Sequence, residues 1–231
     1  MNILMVLTSN DRLGDTGLKT GLWLDEFTTP FFYFKDKHCQ ITLASPKGGC
    51  PPLDPKSLEK EYQSATTKRF ADNIENQRTF SSTLPLSEIN ADDFDGIFYP
   101  GGHGLLWDLV ENRDSIGLIE KMLMQKKPVG SVCHGPAVLV SVRDEKKEAI
   151  VKNRKVTSFS NAEEVAIGFE KTVPFLIEDK FTEQNGIYSC SAPWTYHVQS
   201  DGLIVTGQNP ASSQGVAEEM IKIIEGCERE I

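Results

Sequence analysis

Short, continuous apolar runs alternate with amphipathic stretches along this chain of 231 residues, and that alternation leaves few folds open. The runs are Ile3 to Leu7, Ile41 to Ala44, Gly96 to Tyr99, Val129 to Val132, Val156 to Ser158 and Leu203 to Thr206. Continuous rather than alternating hydrophobicity suits strands buried on both faces. Between them, Thr20 to Phe34 carries Leu24, Phe27, Phe31 and Phe34 at three- and four-residue intervals, and Ser115 to Lys126 carries Ile116, Ile119, Met122 and Leu123. Ser212 to Cys227 repeats the stripe with Val216, Met220, Ile223 and Ile224. These predict crossover helices, hence an α/β fold with an open, mostly parallel sheet and helices on both faces.

From Pro51 to Asp93 the texture becomes polar and charged, with Pro51, Pro52, Pro55 and Pro85 as breakers. A bare loop of that length is uncommon. Residues 51–93 are therefore expected to form an ordered cap within a single domain spanning 1–231, with a helix near Ser57 to Ser64 leaning over the site.

An apolar share of 39% with 25% charged residues supports a sizeable core without staples. Lys and Arg total 24 against 33 acids, for a net charge of −9 and no basic cluster, which argues against a nucleic-acid partner. The first residues lack the cationic lead of a signal peptide, and no apolar run reaches membrane-spanning length, so a cytoplasmic protein without a membrane partner is expected. Five scattered cysteines without a C-x-x-C pair, and four dispersed histidines, write neither a disulfide framework nor a metal site. No metal and no cofactor is expected.

The segment Pro128-Val129-Gly130-Ser131-Val132-Cys133-His134-Gly135-Pro136 ends an apolar run on a cysteine, and the adjoining Ala137 to Val142 is helix-compatible. A strand-to-helix elbow lifts such a side chain out at the carboxyl edge of a sheet, and a helix N-terminus pushes a thiol toward thiolate. After Ile97 to Tyr99 comes Pro100-Gly101-Gly102-His103-Gly104, a turn able to aim backbone N–H groups inward and, with the N–H of His134, to form an oxyanion hole. Glu26 sits among Leu22, Trp23, Leu24 and Phe27, where desolvation would raise its pKa and let it share a proton with a thiolate. Glu163 and Glu164 follow Ser160, a helix cap, and either suits the orienting carboxylate of a triad. The histidine partner of Cys133 stays open among His134, His103 and His197, because sequence neighbours face each other only at a strained elbow. Trp194 and Tyr196, in Cys190 to His197, are candidate pocket aromatics.

The ordered set of Gly14 to Phe31 with Glu26, Pro100 to Gly104, Ser131 to Pro136, and Thr206-Gly207-Gln208-Asn209-Pro210-Ala211-Ser212 resembles the ThiJ/PfpI superfamily over nearly the whole chain. Within it the chain is similar to the heat shock protein 31-like branch, whose members include glutathione-independent glyoxalase III enzymes. The elbow alone is shared with class I glutamine amidotransferases and intracellular proteases. The resemblance implies a flavodoxin-like three-layer sandwich, a homodimer, and a reactive cysteine with a histidine and acidic partners. It puts the nucleophile on Cys133, the histidine on His134, the carboxyl beside the thiol on Glu26 and the triad acid on Glu164, with Glu163 as its neighbour and rival. Larger bacterial members carry a metal site on an extended N-terminal region; this chain begins at its first strand, so no zinc is expected.

The expected activity is conversion of methylglyoxal or another small 2-oxoaldehyde to a 2-hydroxy acid through a Cys133 hemithioacetal, with charge held by N–H groups of Gly101, Gly102 and His134. The alternatives are a cysteine hydrolase, either peptidase or deglycase, and a holding chaperone or redox sensor.

Overall fold

Strands buried on both faces send alternate residues to opposite sides, so the apolar runs build two cores at once. A computed structural model describes residues 1–228. In chain order the elements are β1 (Asn2–Val6), α1 (Leu24–Asp36), β2 (Gln40–Ser45), α2 (Ala65–Ala71), α3 (Ile74–Phe80), β3 (Leu84–Pro85), β4 (Gly96–Tyr99), α4 (Leu105–Asp108), α5 (Arg113–Met124), β5 (Val129–Val132), β6 (Lys155–Val156), α6 (Asn161–Ile167), α7 (Ile177–Glu183), β7 (Ile187–Tyr188), β8 (Val198–Asp201), β9 (Ile204–Gly207) and α8 (Ser213–Glu228). Seven strands form one sheet in the order β3-β2-β1-β4-β5-β9-β8. Only the β8–β9 pair is antiparallel.

In β1, Leu4 and Val6 join one core with Leu105 of α4, Ile119 and Met122 of α5, and Leu139. Ile3 and Met5 join the other, with Phe27, Phe31 and Phe34 of α1 and Val216 and Met220 of α8. The result is the flavodoxin-like three-layer sandwich. Its strand order reverses between β1 and β4, and at such a switch point the crevice beyond the carboxyl ends of the strands takes ligands.

Two expectations change. Val156 to Ser158 does not enter the main sheet: Lys155 and Val156 pair in parallel with β7 in a separate two-stranded sheet. The next donors turn elsewhere, Thr157 N–H to Thr206 Oγ1 of β9 and Phe159 N–H to the Cys133 carbonyl. The free edge of β9 is taken instead by β8, whose Val198-Gln199-Ser200-Asp201 carries no apolar run.

The helix expected near Ser57 to Ser64 is two 3₁₀ turns, Pro55–Leu58 and Lys60–Tyr62, with extended backbone at Glu59 between them. Asp54 caps the first by accepting from Lys56 N–H, and the α-helix waits for Ser64, which forms a capping box with Thr67. Phe70 of α2 and Phe80 of α3 then pack on Phe27 at ring distances of 5.7 and 5.2 Å. This anchors α2 and α3 to α1. Among the described residues no helix is long and apolar enough to cross a membrane, and Cys39, Cys50, Cys133 and Cys190 are free thiols. The Cys227 side chain lies outside the described residues.

Candidate active site

At the end of β5 the chain turns on Cys133 with φ of +60°, a left-handed conformation that a residue with a β-carbon rarely takes. It costs about 1–3 kcal/mol. Two backbone bonds impose it: Cys133 N–H donates to the Gly207 carbonyl at 2.9 Å, and the Cys133 carbonyl accepts from Phe159 N–H at 2.7 Å. Beyond His134 the chain continues as a 3₁₀ turn, Gly135–Leu139, rather than an α-helix. So few aligned peptides reach the thiol that the expected dipole effect is small.

The strained turn brings the next side chain back onto the sulfur. His134 Nδ1 lies 3.3 Å from Cys133 Sγ, and Nε2 lies 2.8 Å from Glu164 Oε2. An ionised carboxylate only accepts, so Nε2 carries the proton and the Nδ1 lone pair faces the thiol. The other Glu164 oxygen, Oε1, accepts from His103 Nε2 at 2.9 Å, and the two imidazoles pack with ring centres 4.0 Å apart. One carboxylate thus bridges two histidines. Sequence reasoning held His103 only as an alternative to His134, whereas the fold brings both in; the signal was its position in the turn after β4. His197 lies elsewhere, between Ser189 and Ser191.

Glu163, although adjacent, faces away from the histidines. Its Oε2 accepts from the N–H and O–H of Ser160, both at 2.9 Å, and from Gln208. Oε1 accepts from Trp194 N–H at 2.8 Å and Asn209 Nδ2 at 2.9 Å. It ties the Trp194 loop to α6, and the choice between the two acids falls to Glu164.

Glu26, in the first turn of α1, is fully buried. Its carboxyl faces the Cys133 thiol and the Gly101 N–H, and neither oxygen reaches a strict hydrogen-bond geometry. Gly101 allows this approach: a β-carbon there would overlap Glu26 Oε2 and come within 2.7 Å of Cys133 Cβ. Gly101 therefore serves Glu26, whereas Gly102 and His134 line the open space beside the sulfur. Gly102 has φ of +105°, a conformation that favours glycine and turns its peptide.

The DJ-1/PfpI family model matches residues 22–223. The chain belongs to the DJ-1/PfpI family. It is 29% identical over 234 residues to glyoxalase 3 of Candida albicans, covering 97% of this chain and 99% of that one. It is also 29% identical over 225 residues to a glutathione-independent glyoxalase of Saccharomyces cerevisiae, covering 93% and 94%. Among solved structures, the 24 kDa rapid encystment protein of Francisella tularensis superposes with a TM-score of 0.92 at 34% identity, over 96% and 98% of the two chains. Glyoxalase III from Candida albicans superposes with 0.89 at 29% identity, over 96% and 97%.

In this DJ-1/PfpI member the buried acids are driven apart. Burial pushes the Glu26 carboxyl well above the ordinary range, and the facing thiol and Gly101 N–H offset only part of that. Burial alone would raise Glu164 too, but His134 first and then His103 hold it well below the ordinary carboxylate range. Burial, then His134, lowers the His103 imidazole. The last two directions agree, since a neutral imidazole still donates Nε2–H to an ionised carboxylate.

The accessible, acidified thiol expected from the elbow is not what the fold builds. Cys133 is 5% exposed, and burial pushes its thiol up, as would an ionised Glu26 beside it. A Glu26 that keeps its proton removes that second effect. His134 Nδ1, 3.3 Å from the sulfur, is the base placed to draw off the thiol proton.

Above Cys133 opens a cavity of about 790 Å³. Trp23, Tyr62, Phe159, Phe169 and Trp194 supply its aromatic walls, and Asp54, Pro55, Lys56, Glu59 and Gln63 complete the lining. Tyr196 stays outside, 59% exposed. The ligand atoms of His103, His134 and Glu164 lie within 4.8 Å of one another, a spacing a metal ion accepts. The Nε2 protons already satisfy the carboxylate there, so the set fits a hydrogen-bonded triad better than a metal centre.

Proposed function

We propose that the protein is a glutathione-independent, glyoxalase III-like enzyme that converts methylglyoxal, or another small 2-oxoaldehyde, to a 2-hydroxy acid such as lactate. One observation carries the reading: Cys133, His134 and Glu164 are aligned at 3.3 and 2.8 Å, and Cys133 and His134 open onto an aromatic cavity. The names of the full-length relatives support it.

In the proposed reaction His134 Nδ1 takes the Cys133 proton and the sulfur adds to the aldehyde carbon. The carbonyl electron pair becomes an alkoxide, held by the N–H groups of Gly102 and His134 and protonated to a hemithioacetal. A base then removes the proton from the former aldehyde carbon, giving an enediol, and returns it to the neighbouring carbon. Re-forming the first carbonyl leaves a thioester on Cys133. Water hydrolyses it, releasing the hydroxy acid and the thiolate; the protein's own thiol replaces glutathione. Glu26, Cys133, His134 and Glu164 are the proposed catalytic set. Residues 51–93 act as the cap of a single domain, and the enzyme is a cytoplasmic homodimer without nucleic-acid or membrane partners.

A second reading, a cysteine hydrolase, is favoured by one feature, because the cavity is far larger than a three-carbon aldehyde needs. The deciding assay is lactate formation from methylglyoxal without glutathione. The intact protein produces lactate and Cys133→Ala produces none. Equal rates from both, or none from either, would reject the proposal.

A further inference from the structure

Three groups near Cys133 compete for the carbon-to-carbon proton transfer, and their surroundings separate them. This inference rests on the glyoxalase reading. Glu26 is fully buried with its carboxyl against the sulfur, and burial pushes its pKa well above the ordinary range, which suits it to donate rather than to act as the resting base. His134 has its single free lone pair aimed at Sγ, 3.3 Å away, and is consumed in drawing off the thiol proton. His103 is the group that the sulfur chemistry leaves unused. Its Nε2 is fixed on Glu164 Oε1, and its ring edge lies against Phe169 with centres 5.4 Å apart. The residue lines the cavity, and among the described residues its Nδ1 meets no protein partner.

We propose that His103 is the substrate-side base: its Nδ1 takes the proton from the hemithioacetal carbon and returns it to the adjacent carbon, while His134 serves the sulfur. The electrons balance without an outside oxidant. The C–H pair becomes the carbon–carbon double bond of the enediol as the neighbouring carbonyl oxygen takes up the proton that Glu26, which also lines the cavity, donates. The same pair then forms the new C–H bond with the proton His103 returns, and the first hydroxyl gives its proton back to the Glu26 carboxylate as the first carbonyl is restored.

Sharing Glu164 sets the order of events. Two imidazolium rings 4.0 Å apart repel, and one carboxylate balances one of them at a time. His134 must therefore hand its proton to the alkoxide before His103 takes one from carbon. His103 stays neutral until then, in keeping with the lowering of its pKa by burial and by His134. The two histidines form a relay in which only one is charged at any moment.

The test compares the intact protein with His103→Gln, which keeps a donor toward Glu164 and has no base, and with His103→Asn in case the first does not fold. Three quantities are read: lactate formation, consumption of the Cys133 thiol on mixing with methylglyoxal, and the rate of Cys133 alkylation by iodoacetamide. Lactate formation falls about 10²–10⁴-fold, the span that general-base catalysis commands. Thiol consumption and alkylation stay within about threefold, because the His134 base still serves the sulfur. Lactate formation within about threefold of the intact protein overturns the proposal. So does a parallel loss of alkylation, which would make His103 a support for Glu164 and His134 only. No lactate from the intact protein would reject the glyoxalase reading itself, a result separate from either.

Discussion

Glu26 and Glu164 are both buried and both bear on Cys133, yet the protein holds them in opposite states. Glu26 faces the sulfur directly, with no strict hydrogen-bond partner on either oxygen, and burial pushes its pKa well above the ordinary range, which favours the protonated form. Glu164 reaches the sulfur through His134, and two imidazole N–H groups, at 2.8 and 2.9 Å, keep its proton off. The same residue type therefore supplies an acid on one flank and a carboxylate on the other. Partners, not burial, decide which.

The carboxylate flank carries the larger effect. Glu164→Gln removes the group that fixes the His134 tautomer and balances its charge, so turnover falls about 10²–10⁴-fold and alkylation of Cys133 slows with it. Stability has a sign as well. A carboxyl held below its ordinary value contributes stability above the unfolded-state pKa and loses it as the pH falls. Thermal melts of the intact protein between pH 6 and pH 3 drop more steeply than those of Glu164→Gln.

Glu26→Gln has the opposite slope and the smaller cost, about tenfold in turnover. A carboxyl raised by burial is harmless below the ordinary glutamate range, and its desolvation weighs on the folded state as the pH climbs toward the raised value. The variant gains about 2–4 °C in Tm over the intact protein at pH 8 and nothing at pH 4. Equal Tm differences at both pH values would break the comparison. Glu163→Gln is the internal control, one residue from Glu164. It leaves turnover within about threefold but turns a donor toward Ser160, Trp194, Gln208 or Asn209, at about 1–3 kcal/mol of stability.

Much of this arrangement was legible in the residues. The apolar runs located β1, β2, β4, β5 and β9 because strands buried on both faces need continuous hydrophobicity. Glu26 stood out as an acid among apolar helix residues. β8 was not legible, since an edge strand half open to solvent has no such run, and the run Val156 to Ser158 gave no sign that the strand there, Lys155–Val156, pairs outside the main sheet, because pairing partners leave no trace in a short segment. Glu163 and Glu164 were inseparable in sequence; a capping bond to Ser160 claims the first and frees the second. His103 differed for a related reason. Its bond to Glu164 spans 61 positions, and no local pattern encodes it.

The central claim is the division of charge between the two carboxyls, and infrared difference spectroscopy reads it directly. At neutral pH the intact protein shows the carbonyl stretch of one buried, protonated carboxylic acid. That band disappears in Glu26→Gln and persists in Glu164→Gln. A band that is missing from the intact protein, or that vanishes with Glu164→Gln instead, would contradict the account.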